Sequence, residues 1–187
     1  MKFEYARISA SLFQQEYSLP RIQEYVEMMV YATISFSLPF LLGHEQLLVG
    51  AVVNCALVLA ALNLKGARLL PVIILPSIGA YLAGLIFGVA SSALLCMLPF
   101  IWIGNAVLVL SIKYFVLDKK THRVAALGIG AAAKAAFLFL SAFALLSFGM
   151  VPAAFLTAMG IFQIATALLG GSAALVLQEG KRRLVAG

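Results

Sequence analysis

The stretch GIGAAAKAAFLFL, residues 128–140, is built of small and apolar residues around a single lysine, Lys134. The apolar run that contains it extends from Val124 to Phe148 and has no other charged residue. Such a run exceeds the roughly 20 residues that a helix needs to cross a bilayer. Lys134 would lie about 16 Å along that helix, near mid-bilayer, where an ammonium group costs at least about 3 kcal/mol. The run predicts a membrane helix that must accommodate a buried charge.

The composition extends this prediction to the whole chain. Apolar residues make up 64% of the sequence and charged residues 11%, and the mean hydropathy is +1.07. Soluble domains carry roughly 25% charged residues. Because a helix satisfies its own backbone groups in lipid, the chain is predicted to be an all-α, polytopic integral membrane protein.

The apolar runs divide the chain into six predicted transmembrane helices in one domain, with no linker between them. The helices are expected at about 20–42, 46–64, 69–89, 92–115, 124–148 and 152–177. Residues 1–17 are predicted to form a cytoplasmic lead, amphipathic or loosely ordered, and residues 178–187 a cytoplasmic tail. The mixed polar start does not resemble a cleaved signal peptide.

The basic residues support this division. Of the 13 lysines and arginines, all except Lys134 fall at or before the beginning of the first helix, after the second, at or beyond the end of the fourth, or after the sixth. Basic residues favour cytoplasmic loops, so both termini are predicted to be cytoplasmic. The multi-pass chain is expected in a bacterial or archaeal cell membrane, and its pI near 9.6 then needs no nucleic-acid partner.

The sequence lacks the residues that several kinds of protein chemistry require. Cys55 and Cys96 are isolated within apolar runs, whereas a structural zinc or an iron–sulfur cluster takes about four ligands. No nucleotide-binding, metalloprotease or nucleophile motif occurs in the sequence. The chain is therefore expected to be no enzyme and to hold no cofactor or metal.

Polar residues within the predicted spans are candidates for binding a ligand. Asn54, Asn105 and Gln163 place an amide on helices two, four and six, and Thr166 follows on helix six. Each amide could also form a structural hydrogen bond between helices. With Lys134 they could converge on a pocket that opens outward and has Lys134 at its floor. The candidate substrate-binding residues are Lys134, Asn54, Asn105, Gln163, Trp102 and His44.

Lys134 has two interpretations. The apolar parts of the six spans contain no Asp or Glu to pair with it, so it could bind an anionic ligand or a carboxylate from another subunit. It could instead extend toward water, or donate to carbonyl groups that prolines leave free. Trp102 could line the pocket or simply pack, and His44 could form part of its entrance or of an interfacial turn.

Small residues recur at fourfold spacing, a pattern that allows close contact between helices within the bundle or with a partner. They are Gly128, Ala132 and Ala136 on helix five, and Ala154 with Ala158 and Ala167 with Gly171 on helix six.

Six short helices, tiny outer turns and a cytoplasmic N-terminus resemble the S components of energy-coupling-factor transporters. These membrane subunits capture a vitamin or metal and deliver it by docking on a coupling subunit and two ATPases. The chain is also similar to a group of uncharacterised six-helix bacterial membrane proteins, sometimes labelled as hydrogenases, in segments such as AAAKAAFLF and QIATALLGG. The positions that carry this similarity are Gly50, Asn54, Pro76, Pro99, Asn105, Lys134, Gln163 and Gly170.

Two functional hypotheses follow. In the first, the chain is the substrate-binding subunit of a small-molecule uptake transporter. Its ligand is small and anionic or carbonyl-bearing, and it works with a coupling subunit and ATPases. In the second, it is an accessory or anchoring subunit of a larger membrane complex, for example a redox complex, with Lys134 paired to a partner's carboxylate.

Overall fold

The computed structural model describes residues 10–42, 45–86 and 92–186, and within these ranges the regular secondary structure is entirely helical. The helices are α1 (Arg21–Leu42), α2 (Gln46–Asn63), α3 (Leu69–Ile86), α4 (Ser92–Ile112), α5 (Arg123–Ser147), α6 (Ala154–Met159) and α7 (Ile161–Ala186). A 3₁₀ turn, Gly66–Arg68, precedes α3, and a π-helical turn, Lys113–Asp118, extends α4.

Six helical segments of the described chain are long and apolar enough to cross a membrane. They are α1, α2, Gly66–Gly84, Ala93–Asp118, α5 and Ala154–Arg183, the last of which combines α6 with most of α7. This finding supports a multi-pass membrane protein. The sixth segment differs from the single helix expected at 152–177, because it breaks at Gly160 and its second part continues to Ala186.

Helix α2 lies at the centre of the bundle and packs against α1, α3, α4 and α7. Its residues Leu57, Val58 and Leu62 are fully buried in the main apolar core. A smaller core joins α4, α5 and α6 around Met97 and Leu138. About half of the central helix is buried inside the bundle, whereas much of α1 remains exposed.

Glycines determine how closely two of these helices approach. A Cβ atom added at Gly170 on α7 would lie 1.9 Å from the carbonyl oxygen of Ala51 on α2, and one at Gly50 would lie 2.8 Å from Cγ2 of Thr166. Only a glycine leaves room for backbones this close. The contact between α2 and α7 therefore depends on both glycines, and it sets Asn54 beside Thr166.

The small residues predicted to allow close packing on helix five, Gly128, Ala132 and Ala136, do not lie on the face of α5 that packs against the bundle. The packed face of α5 carries Ala131, Lys134 and Leu138. Ala132 and Ala136 are exposed, and a Cβ atom at Gly128 would meet nothing within 4 Å. On α7, by contrast, Ala167 and Gly171 are buried.

The segment before α1 is packed against the bundle rather than loosely ordered from residue 10 onward. The Glu16 amide donates to the Leu62 carbonyl at 2.8 Å, and the Gly66 amide donates to the Leu12 carbonyl at 3.0 Å. Leu12 also packs against the main core. These contacts close the end of the bundle where most of the basic residues lie.

Candidate functional site

Lys134 finds its partner inside the chain. Its Nζ atom donates a hydrogen bond of 2.6 Å to Oδ1 of Asn54, and the two side chains are 2% and 1% exposed. Lys134 lies on the packed face of α5, so its amine points toward α2 rather than toward lipid. The ammonium group of Lys134 is therefore stabilised by the side-chain amide oxygen of Asn54 on α2.

A chain of hydrogen bonds continues from Lys134 to α7. Nδ2 of Asn54 donates to Oγ1 of Thr166 at 3.1 Å and to the Gly50 carbonyl at 2.9 Å. The Thr166 hydroxyl in turn lies 2.8 Å from the Phe162 carbonyl, to which it donates. Because a cation polarises the hydrogen bonds that lead away from it, Lys134 makes the Asn54 amide a stronger donor, and the same effect reaches the Thr166 hydroxyl.

Thr166 faces a cavity of about 690 Å³ at the end of the bundle opposite the basic residues. The cavity is bounded by parts of α1, α2, α3, α4, α6 and α7, and its apolar wall includes Pro39, Val49 and Phe155. Four polar side chains, those of Gln46, Thr157, Gln163 and Thr166, line it. Cavities of roughly 300–1,000 Å³ with an apolar lining and few polar groups are typical of small-molecule sites.

The break in the sixth span shapes this cavity. Pro152 and Gly160 flank α6, and the α6 residues Phe155, Ala158 and Met159 contribute to the wall. Gln163 is the third residue of α7, so it lies at the cavity rather than near the middle of a single long helix. A continuous helix from residue 152 would have placed these side chains differently around its axis.

Asn105 and Trp102 lie outside this arrangement. Nδ2 of Asn105 donates to the Ile73 carbonyl at 2.9 Å, and Nε1 of Trp102 donates to Oγ of Ser77 at 2.8 Å. Both acceptors belong to α3, next to Pro76, where the proline ring disturbs the backbone hydrogen bonds of the preceding turn. These two side chains therefore join α4 to the weakened turn of α3.

The five predicted binding residues that the structure describes thus separate in space. Lys134 and Asn54 are bonded to each other, and Gln163 lines the cavity that Thr166 connects to them. His44 lies outside the described residues.

A second polar cluster, at the basic end of the bundle, was not anticipated from the sequence. Buried Glu24 on α1 pairs with Arg68 and, at 3.3 Å, with Lys65, while Gln15 donates to it at 2.9 Å. Buried Lys113 donates to the Gln14 and Leu64 carbonyls at 2.7 and 2.8 Å. These residues fasten the N-terminal segment to the ends of α1, α2 and α4.

The same cluster reaches α5 and α7. Nε2 of Gln178 donates to Oδ1 of Asn63 at 2.8 Å and to Oε2 of Glu16 at 3.0 Å, and Glu16 also pairs with Arg123. The sequence signal was the position of Asn63 and Gln178 at the ends of apolar runs, beside the basic groups. Their burial could not be predicted, because it depends on the packed segment before α1.

The fold is a helical bundle with six segments long and apolar enough to cross a membrane, a cavity at one end and a buried lysine behind it. No protein-family model matches the chain, and neither a curated protein nor a solved structure does. The resemblance to energy-coupling-factor S components therefore stays a prediction.

Among the described residues, no group of three or more His, Cys, Asp or Glu side chains is arranged to hold a metal ion. The cavity next to Thr166 is lined instead by amides, hydroxyls and apolar side chains. Such groups suit an organic ligand that carries a hydrogen-bond acceptor.

Proposed function

We propose that this chain is a substrate-binding membrane subunit of a small-molecule uptake system. The observation that carries the proposal is the cavity of about 690 Å³ whose Thr166 hydroxyl ends the hydrogen-bond chain from Lys134. A ligand with a carbonyl or carboxylate oxygen would accept from the Thr166 hydroxyl in place of the Phe162 carbonyl. Gln163 would supply a second donor, and the apolar wall would hold the rest of the ligand.

Lys134 acts in this proposal through Asn54 rather than by touching the ligand. Its charge polarises the Asn54 amide and favours an anionic or carbonyl-bearing ligand over a cationic one. Because the ammonium already has an acceptor, the empty subunit does not leave a bare charge in the bilayer. This differs from the sequence hypothesis, in which Lys134 bound the ligand directly.

The topology that uptake requires is also part of the proposal. Basic residues from four separate regions, among them Lys65, Lys113, Arg123 and Lys181, meet residues 14–27 at one end of the bundle. The positive-inside preference assigns that end, with both termini, to the cytoplasm of a bacterial or archaeal cell. The cavity then lies in the half of the bilayer that faces outward, where it would take up ligand from outside.

The first experiment is to purify the tagged full chain gently from its native membrane and to identify the proteins and small molecules that remain bound, by mass spectrometry. Recovery of two ATPases and a coupling subunit, together with an acceptor-bearing organic molecule, is expected. The chain shows no nucleotide-binding motif of its own, so transport would depend on such partners. Recovery of redox subunits without ATPases would reject the transporter assignment.

The second experiment tests the cavity with the molecule so identified. Ligand-dependent thermal stabilisation is expected to be lost in Thr166→Val and Lys134→Met, while both variants stay folded. Ser141→Ala is the matched control, because its hydroxyl makes the same bond to the carbonyl four residues earlier, at 2.8 Å from Phe137 O, but on α5. If the ligand stabilised Thr166→Val as much as the parent protein, the cavity beside Thr166 would not be the binding site.

The accessory-subunit hypothesis has one observation in its favour. The stripe of Gly128, Ala132 and Ala136 lies on a face of α5 that the described helices leave open, and it would let a partner's helix approach closely. Lys134, however, does not require a partner's carboxylate, since Asn54 already accepts its hydrogen bond. The partners recovered in the first experiment distinguish the two functions.

A further inference from the structure

A groove of about 700 Å³ lies between the first turn of α5 and the last turns of α7, and it is separate from the cavity beside Thr166. We refer to it as the α5–α7 groove. One side of it is basic, with Arg123, Arg182 and Arg183, and the other is apolar, with Val124 and Val176. The groove therefore changes from charged to apolar along its length.

The basic side carries more positive charge than its acidic neighbour can neutralise. Arg182 and Arg183 share one carboxylate oxygen, Oε1 of Glu179, at 2.9 and 3.4 Å. Their side chains are 53% and 80% exposed, so further guanidinium donors are open to another acceptor. Arg123 is paired with Glu16, but its Nη1 atom is buried without a hydrogen-bond partner in the described part of the chain.

The apolar side faces outward from the bundle. Val124 is 63% exposed and Val176 is 72% exposed. Both lie in helices that are apolar enough to cross a membrane, one at the beginning of α5 and one about three turns before the end of α7. Side chains at such positions meet acyl chains just below the headgroup layer, while the arginines lie at the level of the headgroups.

We propose that the α5–α7 groove binds one anionic phospholipid, whose phosphate contacts Arg182 and Arg183 and whose acyl chain lies along Val124 and Val176. Arginine guanidinium groups recognise phosphate oxygens through paired donors. Basic pockets between transmembrane helices on the cytoplasmic side suit phosphate-bearing lipid headgroups. The continuous apolar wall selects a lipid over a free phosphate, and this proposal does not depend on the transport function.

The test uses the full chain purified in a neutral detergent and titrated with phosphatidylglycerol or with phosphatidylcholine of the same acyl chains. Bound lipid is counted by native mass spectrometry. Phosphatidylglycerol is expected to bind more tightly, and Arg182→Gln/Arg183→Gln is expected to lose roughly 25-fold in affinity for it, from about fivefold per arginine. Both arginines are exposed, so the variant should remain folded, which its melting temperature checks.

The matched control is Lys119→Gln/Lys120→Gln. It removes the same charge at the same end of the bundle, but from two exposed lysines that do not line the groove. It is expected to keep the affinity within about twofold. A third arm adds glycerol 3-phosphate, the soluble headgroup, which should not displace phosphatidylglycerol because it cannot use the apolar wall.

Four results would overturn the proposal. They are equal binding of the two lipids, unchanged binding in the arginine variant, an equal loss in the lysine control, and displacement by an equimolar amount of glycerol 3-phosphate. The third would indicate general attraction to a basic surface, and the fourth would indicate a site for free phosphate instead of a lipid.

Discussion

Nζ of Lys134 on α5 and Oδ1 of Asn54 on α2 lie 2.6 Å apart, although 80 residues separate them in sequence. Without this hydrogen bond, the ammonium group on α5 and the amide oxygen of Asn54 on α2 would each lose the partner that the described chain gives them. A charged donor shortens and strengthens such a bond. The two residues should therefore depend on each other for their contribution to stability.

A double-mutant cycle on Lys134→Met and Asn54→Leu tests this dependence. Lys134→Met alone leaves Oδ1 of Asn54 without a donor, at about 1–3 kcal/mol, and Asn54→Leu alone strands a buried ammonium at a larger cost. The double variant removes both polar groups, so its free energy of unfolding should exceed the additive value by about 1–3 kcal/mol. Equilibrium unfolding in mixed micelles measures the free energy of unfolding of the parent, of each single variant and of the double variant.

The control cycle combines Lys134→Met with Asn105→Leu, since Asn105 bonds to α3 instead. Its two effects should add within about 0.5 kcal/mol. If the Lys134–Asn54 cycle were equally additive, the bond would not couple α5 to α2.

Gly170→Ala should disrupt the contact between α7 and α2. The new methyl group would overlap the Ala51 carbonyl, which is backbone and cannot turn aside. Overpacking of this kind costs about 1–3 kcal/mol, and separating the helices would also lengthen the bond from Asn54 to Thr166. The melting temperature of the variant should fall.

Gly128→Ala serves as the control for Gly170→Ala, because its methyl group meets nothing within 4 Å. Alanine favours a helix over glycine by up to about 1 kcal/mol, so this variant should be as stable as the parent or slightly more so. Equal destabilisation by Gly170→Ala and Gly128→Ala would show that the α2–α7 contact is no more sensitive to an added methyl group than an open face of α5.

Lys113→Met should release the N-terminal segment from the bundle. The substitution leaves the carbonyl groups of Gln14 and Leu64 without their donor, and a buried acceptor without a partner costs about 1–3 kcal/mol. Hydrogen exchange at residues 10–20 should become faster, with little change in α5. Lys119→Met, on an exposed neighbour, should leave the exchange unchanged; protection of residues 10–20 in both variants would contradict the role given to Lys113.

Asn105→Leu should destabilise the junction of α3 and α4 without affecting the cavity. The Ile73 carbonyl would lose the Nδ2 donor of Asn105, and a buried acceptor without a partner costs about 1–3 kcal/mol. Equilibrium unfolding should show a loss of this size, while ligand-dependent thermal stabilisation at the cavity should stay unchanged. An unchanged free energy of unfolding would contradict the role given to Asn105.

The sequence was most informative about single helices and least informative about contacts between them. The apolar runs predicted six membrane-spanning segments, and the described chain has six helical segments long and apolar enough to be such spans. Lys134 was recognised as a buried charge that needs a partner. Asn54 was grouped with it, but so were Asn105 and Trp102, which bond to α3 instead.

Buried residues at the ends of the helices were missed for a related reason. Lys113 and Gln178 were interpreted as parts of a cytoplasmic loop and tail, yet both are fully buried. A basic or amide side chain beside an apolar run is normally solvated. Only the segment at residues 10–17, packed over the helix ends, removes these two groups from water.

The sequence by itself determined the number of segments that could cross a membrane and the need to compensate Lys134. Those properties follow from hydropathy and from hydrogen bonds within each helix, which are local. The tertiary structure decided which face of each helix packs inward, because a helix that is apolar on every side carries no stripe to mark that face. Close approach at Gly50 and Gly170 then brought Asn54 to Thr166, and the break at Gly160 opened the cavity beside them.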